Sequence, residues 1–348
     1  MRMKPTTTTD RINVLDLIRG FALIGLPFVN VLALWNNVNL SGTQEDIWIQ
    51  RFLYIFVEGR FYAIFSFLFG LGFWIFLSRA QRKSNHPYGL FIRRMLILLG
   101  AGMLHQLINP GEVLLFYAIF GLIVLFFYKA PKQINLTLGI IGIIAGSFFG
   151  AKTLLPLPLI LLGLAFGQYR VFQTLMENKK KWGAAAIFSF VATSVITVFL
   201  WQNAPDAGLL SYMEGFDYDI TETQAEANRA FYDFIDLSMV FAPIYSIFYI
   251  SLLVLLEPAV GKWLSPLHSF GRMALSNYIG QSIILVSLLV FIPVDTIVSY
   301  KVAAIVCLIV VGVQIIFSSL WLRHFNYGPL EWLWRCATYG NWVPIRRK

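Results

Sequence analysis

Ten long apolar runs limit what this chain can fold into. Runs of about 20 apolar residues match the ~30 Å hydrocarbon layer of a bilayer, where helices satisfy their own backbone hydrogen bonds. The chain has 58% hydrophobic and only 13% charged residues, which is more apolar surface than a soluble domain buries. The sequence therefore predicts an all-α, polytopic membrane protein with one integral-membrane domain over residues 1–348. Its transmembrane helices, about ten, are predicted at residues 14–36, 59–79, 94–109, 112–129, 133–151, 154–168, 183–202, 237–257, 272–293 and 300–322.

The gaps between these runs alternate between basic and acidic composition along the chain. All but five of the 27 Lys and Arg residues fall in one set of gaps or in the ends of the spans next to them. Basic loops stay on the cytoplasmic side of a membrane, so both termini are predicted to be cytoplasmic and the acidic gap 203–236 to be outside. The net charge of +9 follows from loops that face anionic lipid, so membrane lipids and no nucleic acid are predicted as partners. The two cysteines, Cys307 and Cys336, predict neither a disulfide framework nor a metal site.

The first run carries polar residues where an ionisable side chain costs at least ~2.5 kcal/mol. Asp16 and Arg19 are three residues apart on one helix face, a spacing that allows an ion pair. The pair either anchors the helix at the inner interface or leaves Arg19 to hold an anionic ligand from the cytoplasm. Asn30 follows about 16 Å further along the helix. It either makes an interhelical hydrogen bond or belongs to a reaction site.

Three more ionisable residues lie near the predicted outer ends of spans. Glu58 and Arg60 point in different directions on a helix, and their apolar surroundings indicate a cavity. His105 lies four residues before the segment Asn-Pro-Gly-Glu at 109–112. Its side chain exchanges a proton near neutral pH, which makes it a candidate general base. A buried structural histidine is the alternative.

A polar stripe opens the ninth run. Asn277 and Gln281 are four residues apart on one helix face, and Arg272 lies at its inner mouth. Such a stripe either packs helices together or contributes to ligand binding. Arg272 also joins Arg19, Arg93 and Arg94 in a candidate cytoplasmic pocket for phosphate groups. Ordinary positive charge on the inner side explains most of these arginines equally well.

Five stretches carry recognisable motifs: residues 11–30 (beginning RINVLDLIRGFAL), 67–73 (FLFGLGF), 102–105 (GMLH), 271–281 (GRMALSNYIGQ) and 327–332 (YGPLEW). In this order, over nearly the whole chain, they resemble the YeiB-like family of bacterial multipass membrane proteins. The resemblance implies a multi-pass protein of the bacterial inner (plasma) membrane. It also implies an acyltransferase-like core over about residues 11–202 and a YeiB-type C-terminal region over about 203–348.

The first run resembles, more distantly, the transmembrane acyltransferases, among them heparan-α-glucosaminide acetyltransferase. Such enzymes take an acyl group from coenzyme A inside and deliver it to an acceptor hydroxyl or amine on the far side. Asp16, Arg19, Gly20 and Asn30 match their pattern. Their catalytic histidine lies in the first span or the following loop, and residues 31–58 contain none. Either His105 takes this role from another helix, or the acyl chemistry is absent.

The acyltransferase hypothesis assigns the polar residues to two sites. At the catalytic site, His105 is the general base, Asn30 and Arg60 stabilise the developing oxyanion, and Glu58 orients the base or the acceptor. At the cytoplasmic site, acyl-coenzyme A is the implied donor substrate, and no metal is implied. The residues assigned to this second site are Asp16, Arg19, Arg94, Arg272, Asn277 and Gln281.

Two other functions stay open from the sequence. A transporter or exporter of a small amphipathic molecule would use the same polar groups as a substrate pathway. A binding or sensing protein without turnover is the third reading. Secondary transporters often contain inverted repeats, and the absence of one here favours the enzyme. Each of these functions implies a small-molecule partner. The sequence leaves open whether two copies of the chain form a homodimer.

Overall fold

Helices make up nearly all of the regular structure. The computed structural model describes residues 12–35, 39–41, 43–149, 154–175, 178–205, 222–292 and 297–347. Within these ranges, two three-residue strands, β1 (Asn39–Ser41) and β2 (Ile297–Ser299), pair in parallel. The helices are α1 (Asn13–Leu34), α2 (Gln44–Phe56), α3 (Arg60–Lys83), α4 (Pro87–Gln106), α5 (Leu114–Val124), α6 (Lys132–Phe149), α7 (Pro156–Gln168), α8 (Lys179–Asn203), α9 (Glu222–Val240), α10 (Ala242–Val260), α11 (Ser265–Arg272), α12 (Ala274–Leu288), α13 (Tyr300–His324) and α14 (Pro329–Tyr339).

Seven stretches of the described chain are long and apolar enough to cross a membrane. The prediction of an all-helical, multi-pass membrane protein is thereby confirmed, while the number of about ten spans and the cytoplasmic termini stay predictions. Two shorter apolar helices coincide with predicted spans, at Leu114–Phe127 and Pro156–Gln168. The seven stretches are Asn13–Val31, Gln44–Lys83, Pro87–Gln106, Lys179–Asn203, Ala242–Val260, Ala274–Phe291 and Tyr300–His324.

Two segments that the sequence assigns to outer loops are helical. Residues 37–58 contain α2, whose first turn is capped by the Thr43 hydroxyl, which accepts a hydrogen bond from the Asp46 amide at 3.3 Å. The acidic gap 203–236 contains most of α9, while its members at 206–221 lie outside the described residues. Both helices carry polar side chains among their apolar ones, so a hydropathy pattern assigns them to loops.

Glycines allow the central helices to approach closely. A Cβ on Gly271 of α11 would collide with the backbone oxygen of Asp16 in α1. On α3, a Cβ on Gly70 would collide with the Ile160 carbonyl, and one on Gly163 of α7 with the Phe67 carbonyl. One face of α3 is therefore packed tightly against α7, which leaves its opposite face for a different use.

Candidate functional site

A cavity of about 870 Å³ follows the other face of α3. The helix has 24 residues, or about 36 Å at 1.5 Å per residue, against ~30 Å of hydrocarbon in a bilayer. The cavity therefore follows α3 over the full thickness that a membrane helix spans. Seven of its lining residues on α3 are spaced three or four apart along one helical face, at Tyr62, Phe65, Phe69, Gly72, Phe76, Arg79 and Lys83.

One end of the cavity is cationic, and we call it the basic end. It lies where α3 ends and α4 begins, beside α1, α11 and α14. Arg19 extends to the middle of α3, because its Nη2 lies 3.9 Å from the point where a Cβ on Gly72 would stand. Its guanidinium also pairs with Asp16 at 2.9 Å, as the sequence spacing predicts. The six cationic side chains of the basic end are Arg19, Arg79, Lys83, Arg94, Arg272 and Arg335.

Aromatic rings hold two of these arginines. The Arg94 guanidinium lies 3.5 Å from the Trp334 ring centroid and 5.0 Å from that of Phe76, and the Trp334 indole donates a hydrogen bond to the Arg94 carbonyl at 3.0 Å. The Arg335 guanidinium lies 4.9 Å from the Tyr327 ring. Within the described ranges neither guanidinium pairs with a carboxylate. Their N–H groups remain available to an anion from the cavity.

The other end of the cavity is anionic, and we call it the acidic end. Its carboxylates are Glu58, Glu112 and Asp236, and Asn30 of α1 also lines the cavity. Among the described lining residues, every lysine and arginine belongs to the basic end instead. Between the two ends the wall is apolar and largely aromatic. The described lining also contains six tyrosines, at Tyr54, Tyr62, Tyr117, Tyr232, Tyr278 and Tyr339.

A buried histidine–glutamate pair stands at the acidic end. Nδ1 of His105, near the end of α4, contacts Oε2 of Glu112, and both side chains are 1% exposed. The other carboxylate oxygen accepts the amide hydrogen of Leu114 at the start of α5. Tyr278 of α12 packs edge-on against the imidazole at 5.1 Å. Glu112 and Tyr278 line the cavity, whereas His105 lies behind them.

Arg60 is fully buried and lies outside the described lining of the cavity. Its Nη1 donates to the Glu58 carbonyl at 2.8 Å and to the Ser238 hydroxyl at 2.7 Å. Gly59, which lies between Glu58 and Arg60 in the chain, has a positive φ of 72°, a conformation that glycine adopts without a Cβ clash. Arg60 thus fixes the turn that presents Glu58 to the cavity and ties it to α9.

Asn277 and Gln281 lie between helices. The Asn277 amide donates to the Phe270 carbonyl at 2.9 Å and to the Ser318 hydroxyl at 3.0 Å. The Gln281 amide donates to the Leu23 carbonyl at 3.2 Å. These bonds connect α12 with α11, α13 and α1. They correspond to helix packing, one of the two roles that the sequence allows for this stripe. Neither residue is among the described residues that line the cavity.

The C-terminal helix α14 forms part of the wall at the basic end. Its Glu331 carboxylate accepts the amide hydrogens of Leu275 and Ser276 at 2.7 and 3.1 Å, and the Ser276 hydroxyl at 2.5 Å. An anion is favourable at a helix N-terminus, where backbone N–H groups lack partners. Burial of its carboxylate raises the pKa of Glu331 above the usual value, and these hydrogen bonds act in the opposite direction.

Glu331→Ala is expected to lower the free energy of unfolding by about 2–3 kcal/mol, because the first turn of α12 loses charge-assisted hydrogen bonds. Thermal unfolding in detergent measures this loss. Glu45→Ala is the matched control, since Glu45 pairs with Lys301 at the surface, where an ion pair contributes at most about 1 kcal/mol. Equal stability of the two variants would contradict the capping role.

Two known protein families match this chain, one over each half of it. Residues 166–341 match the family described as "Protein of unknown function (DUF418)". Residues 11–175 match the family described as "Heparan-alpha-glucosaminide N-acetyltransferase, catalytic". The chain is 40% identical to an uncharacterized 39.9 kDa protein in the amylase 3' region of Bacillus acidopullulyticus, over 99% of each chain. It is 25% identical to the uncharacterized protein YeiB of Escherichia coli K12, over 94% of this chain and 96% of that protein.

The chain belongs to the YeiB family. A further relative, the uncharacterized protein YxaH of Bacillus subtilis, is 27% identical over 99% of this chain and 98% of its own length. No solved structure matches the chain at a significant level. The family resemblance noted in the sequence is thereby confirmed, together with the relation to the transmembrane acyltransferases.

Both matched regions of this YeiB-family protein line the same cavity. The acyltransferase-like region contributes Arg94 and Glu112, and the C-terminal region contributes Asp236, Arg272 and Trp334. Sequence reasoning assigned no site role to Glu112, Tyr278 or the α14 residues. The signal for Glu112 was weak, since it lies seven residues after His105 and beyond a Pro-Gly turn.

Proposed function

We propose that this protein is a transmembrane acyltransferase, which takes an acyl group from a coenzyme A thioester at the basic end and delivers it to an acceptor at the acidic end. One observation carries the proposal: a single cavity along the length of α3 has six cationic side chains and Glu331 at one end, and three carboxylates at the other. The match of residues 11–175 to an acetyltransferase catalytic region supports the same reaction class.

The donor is assigned to the basic end because coenzyme A carries several phosphate groups. Arg94 and Arg335 suit phosphates, since aromatic rings rather than carboxylates hold their guanidinium groups. Guanidinium–phosphate hydrogen bonds are strong and directional. In this proposal Arg19 and Arg272 complete the donor site, and Asp16 orients Arg19 through their ion pair.

The acceptor is assigned to the acidic end. Transfer requires an acceptor heteroatom to attack the thioester carbonyl, whose oxygen gains negative charge. The His105–Glu112 pair takes the proton of the acceptor, and the Asn30 amide stabilises the developing oxyanion. Glu58 orients the acceptor. Arg60 contributes by holding the Glu58 turn, because its guanidinium hydrogen-bonds the Glu58 carbonyl.

We further propose that the basic end faces the cytoplasm and the acidic end faces the outside of a bacterial inner membrane. About ten spans with both termini inside place the basic gaps of the sequence in the cytoplasm, as the positive-inside rule requires. Coenzyme A thioesters are cytoplasmic compounds, so a donor site at the basic end agrees with this orientation. The acyl group then crosses the membrane inside the protein.

A transporter has less support. Neither matching family is described as a transport protein, and the sequence lacks the inverted repeat that many secondary transporters contain. A passage with opposite charges at its two ends also suits two different substrates better than one molecule that enters at one end and leaves at the other. We therefore favour the enzyme.

Purified protein in lipid nanodiscs tests the proposal with acetyl-coenzyme A as donor and glucosamine as a probe amine. We expect saturable donor binding that weakens as salt screens the arginines, together with release of the free thiol and acetylation of the amine. S-acetylpantetheine carries the same thioester without phosphates and should bind at least about tenfold more weakly. Equal affinity for the two thioesters, or no turnover of either, would contradict the proposal.

A further inference from the structure

We propose that Glu112 is the catalytic base that takes the proton of the acceptor, and that His105 is the positioning residue that holds Glu112. This assignment deepens the acyltransferase function proposed above and rests on it. The observation behind it is which member of the pair borders the cavity. Glu112 is among the described residues that line the cavity and His105 is not, although both side chains are 1% exposed.

Two contacts fix the Glu112 carboxylate. Oε1 accepts the Leu114 amide hydrogen at the N-terminus of α5, and Oε2 contacts Nδ1 of His105 on α4. A carboxylate has about four lone-pair sites on its two oxygens. Each oxygen therefore keeps one site after these contacts. In this proposal the acceptor approaches that site from the cavity, which Glu112 lines.

The imidazole is less suited to meet the acceptor directly. Nδ1 is occupied by Glu112, and Nε2 is buried and has no hydrogen-bond partner among the residues that the structure describes. The edge-on ring of Tyr278, 5.1 Å away, packs against the imidazole. We assign the tautomer with hydrogen on Nδ1, which donates to the carboxylate and orients it. A proton that leaves an acceptor in the cavity then meets Glu112 first.

The step balances with these groups alone. The nitrogen or oxygen of the acceptor attacks the thioester carbonyl carbon and forms the new bond, while its proton moves to Glu112. The carbon–sulfur bond then breaks, and its electron pair leaves with sulfur as the coenzyme A thiolate. Glu112 returns the proton to the thiolate, which releases the free thiol and restores the carboxylate for the next turnover.

A purely structural role for Glu112 is the alternative, because its Oε1 caps α5. Glu112→Gln separates the two roles, since the amide oxygen still accepts the Leu114 hydrogen but no longer takes a proton. Glu257 offers a matched control. It lies 4.0 Å from His268 in a second glutamate–histidine pair, and neither residue belongs to the described lining of the cavity.

The experiment measures kcat and KM for acetyl-coenzyme A, with glucosamine and with water as acceptors. We expect Glu112→Gln to lower kcat about 10²- to 10⁴-fold, to leave KM for the thioester within about twofold, and to bind donor normally. Glu257→Gln should behave as wild type. An active wild type with an equally active Glu112→Gln variant would overturn this assignment alone. A wild type without any turnover would overturn the proposed function as well.

Two substitutions of His105 decide which member of the pair is the base. Glutamine keeps an N–H donor for the carboxylate, whereas leucine removes it. If Glu112 is the base, His105→Gln should retain kcat within about tenfold of wild type, and His105→Leu should lose about 10²-fold or more. A His105→Gln variant as inactive as His105→Leu, with donor binding intact in both, would assign the base to His105 and overturn the proposal.

Discussion

Gly72→Leu is expected to reduce acyl transfer at least ~100-fold, because it fills the cavity halfway along α3. A Cβ at this position would meet a single described side-chain atom, Nη2 of Arg19 at 3.9 Å, and would otherwise project into open space. A leucine therefore extends into the passage and separates the donor from the acceptor, and small displacements of reacting groups already cost about 10²-fold in rate. Leucine is also a better helix former than glycine, so α3 itself is not weakened.

Gly100→Leu is the matched control for this substitution. Gly100 lies in α4, also within a candidate membrane span, and a Cβ there would meet nothing within 4 Å. It is exposed and lies outside the described lining of the cavity. Turnover of acetyl-coenzyme A is the readout for both variants, with thermal unfolding as the test of folding. A folded Gly72→Leu protein with normal turnover would show that no substrate passes this point.

Replacement of Arg94 and Arg335, the two arginines that pack on aromatic rings, should have the next largest effect, on donor affinity. Arg94→Ala and Arg335→Ala are each expected to weaken acetyl-coenzyme A binding about 10- to 100-fold, because a hydrogen bond to a charged group contributes about 1.5–3 kcal/mol. Titration of the purified protein with the thioester measures the affinity. The double variant should lose the salt dependence of binding, since most of the phosphate contacts are gone.

Arg323→Ala controls for the loss of charge alone. Arg323 lies in the last turn of α13, is exposed, and does not belong to the described lining. It is predicted on the same side of the membrane as the basic end, so its replacement changes the net charge of that side equally. Affinity losses of the same size in Arg323→Ala and Arg94→Ala would indicate a general attraction of anions and no built donor site.

Seven of the ten predicted spans overlap candidate membrane helices of the structure, because hydropathy is a local property. A run of apolar residues is long enough to span a bilayer whatever its neighbours are. The sequence also identified Arg19, Asn30, Glu58, Arg94 and Arg272, all of which line the cavity. Their cost inside a membrane marks them without knowledge of the fold. Their catalytic and binding roles stay predictions until the variants are measured.

Hydropathy did not predict the helices α2 and α14. Both mix polar with apolar residues, so neither produces a long hydropathy peak. The role of α14 depends on contacts across the chain: Glu331 caps α12 and Trp334 covers Arg94, from more than 50 and more than 200 residues away respectively. No local pattern specifies such partners.

The partner of His105 shows the same limit at the acidic end. The sequence singled out this histidine and proposed Glu58 to orient either the base or the acceptor. The carboxylate in contact with the histidine is Glu112. The Pro-Gly turn between α4 and α5 brings the two side chains together, and that turn geometry is not visible in a hydropathy profile.

By itself, the sequence determined that this protein is a set of membrane helices, because burial in lipid depends on composition over short windows. It also determined that the gaps between the helices alternate between basic and acidic composition. Only the tertiary structure decided which polar side chains line one cavity, with six lysine and arginine side chains at one end and Glu58, Glu112 and Asp236 at the other. The physical reason is that helix packing decides which face of a helix borders a cavity. Gly70 and Gly163 let one face of α3 pack closely against α7, so the opposite face of α3 lines the cavity.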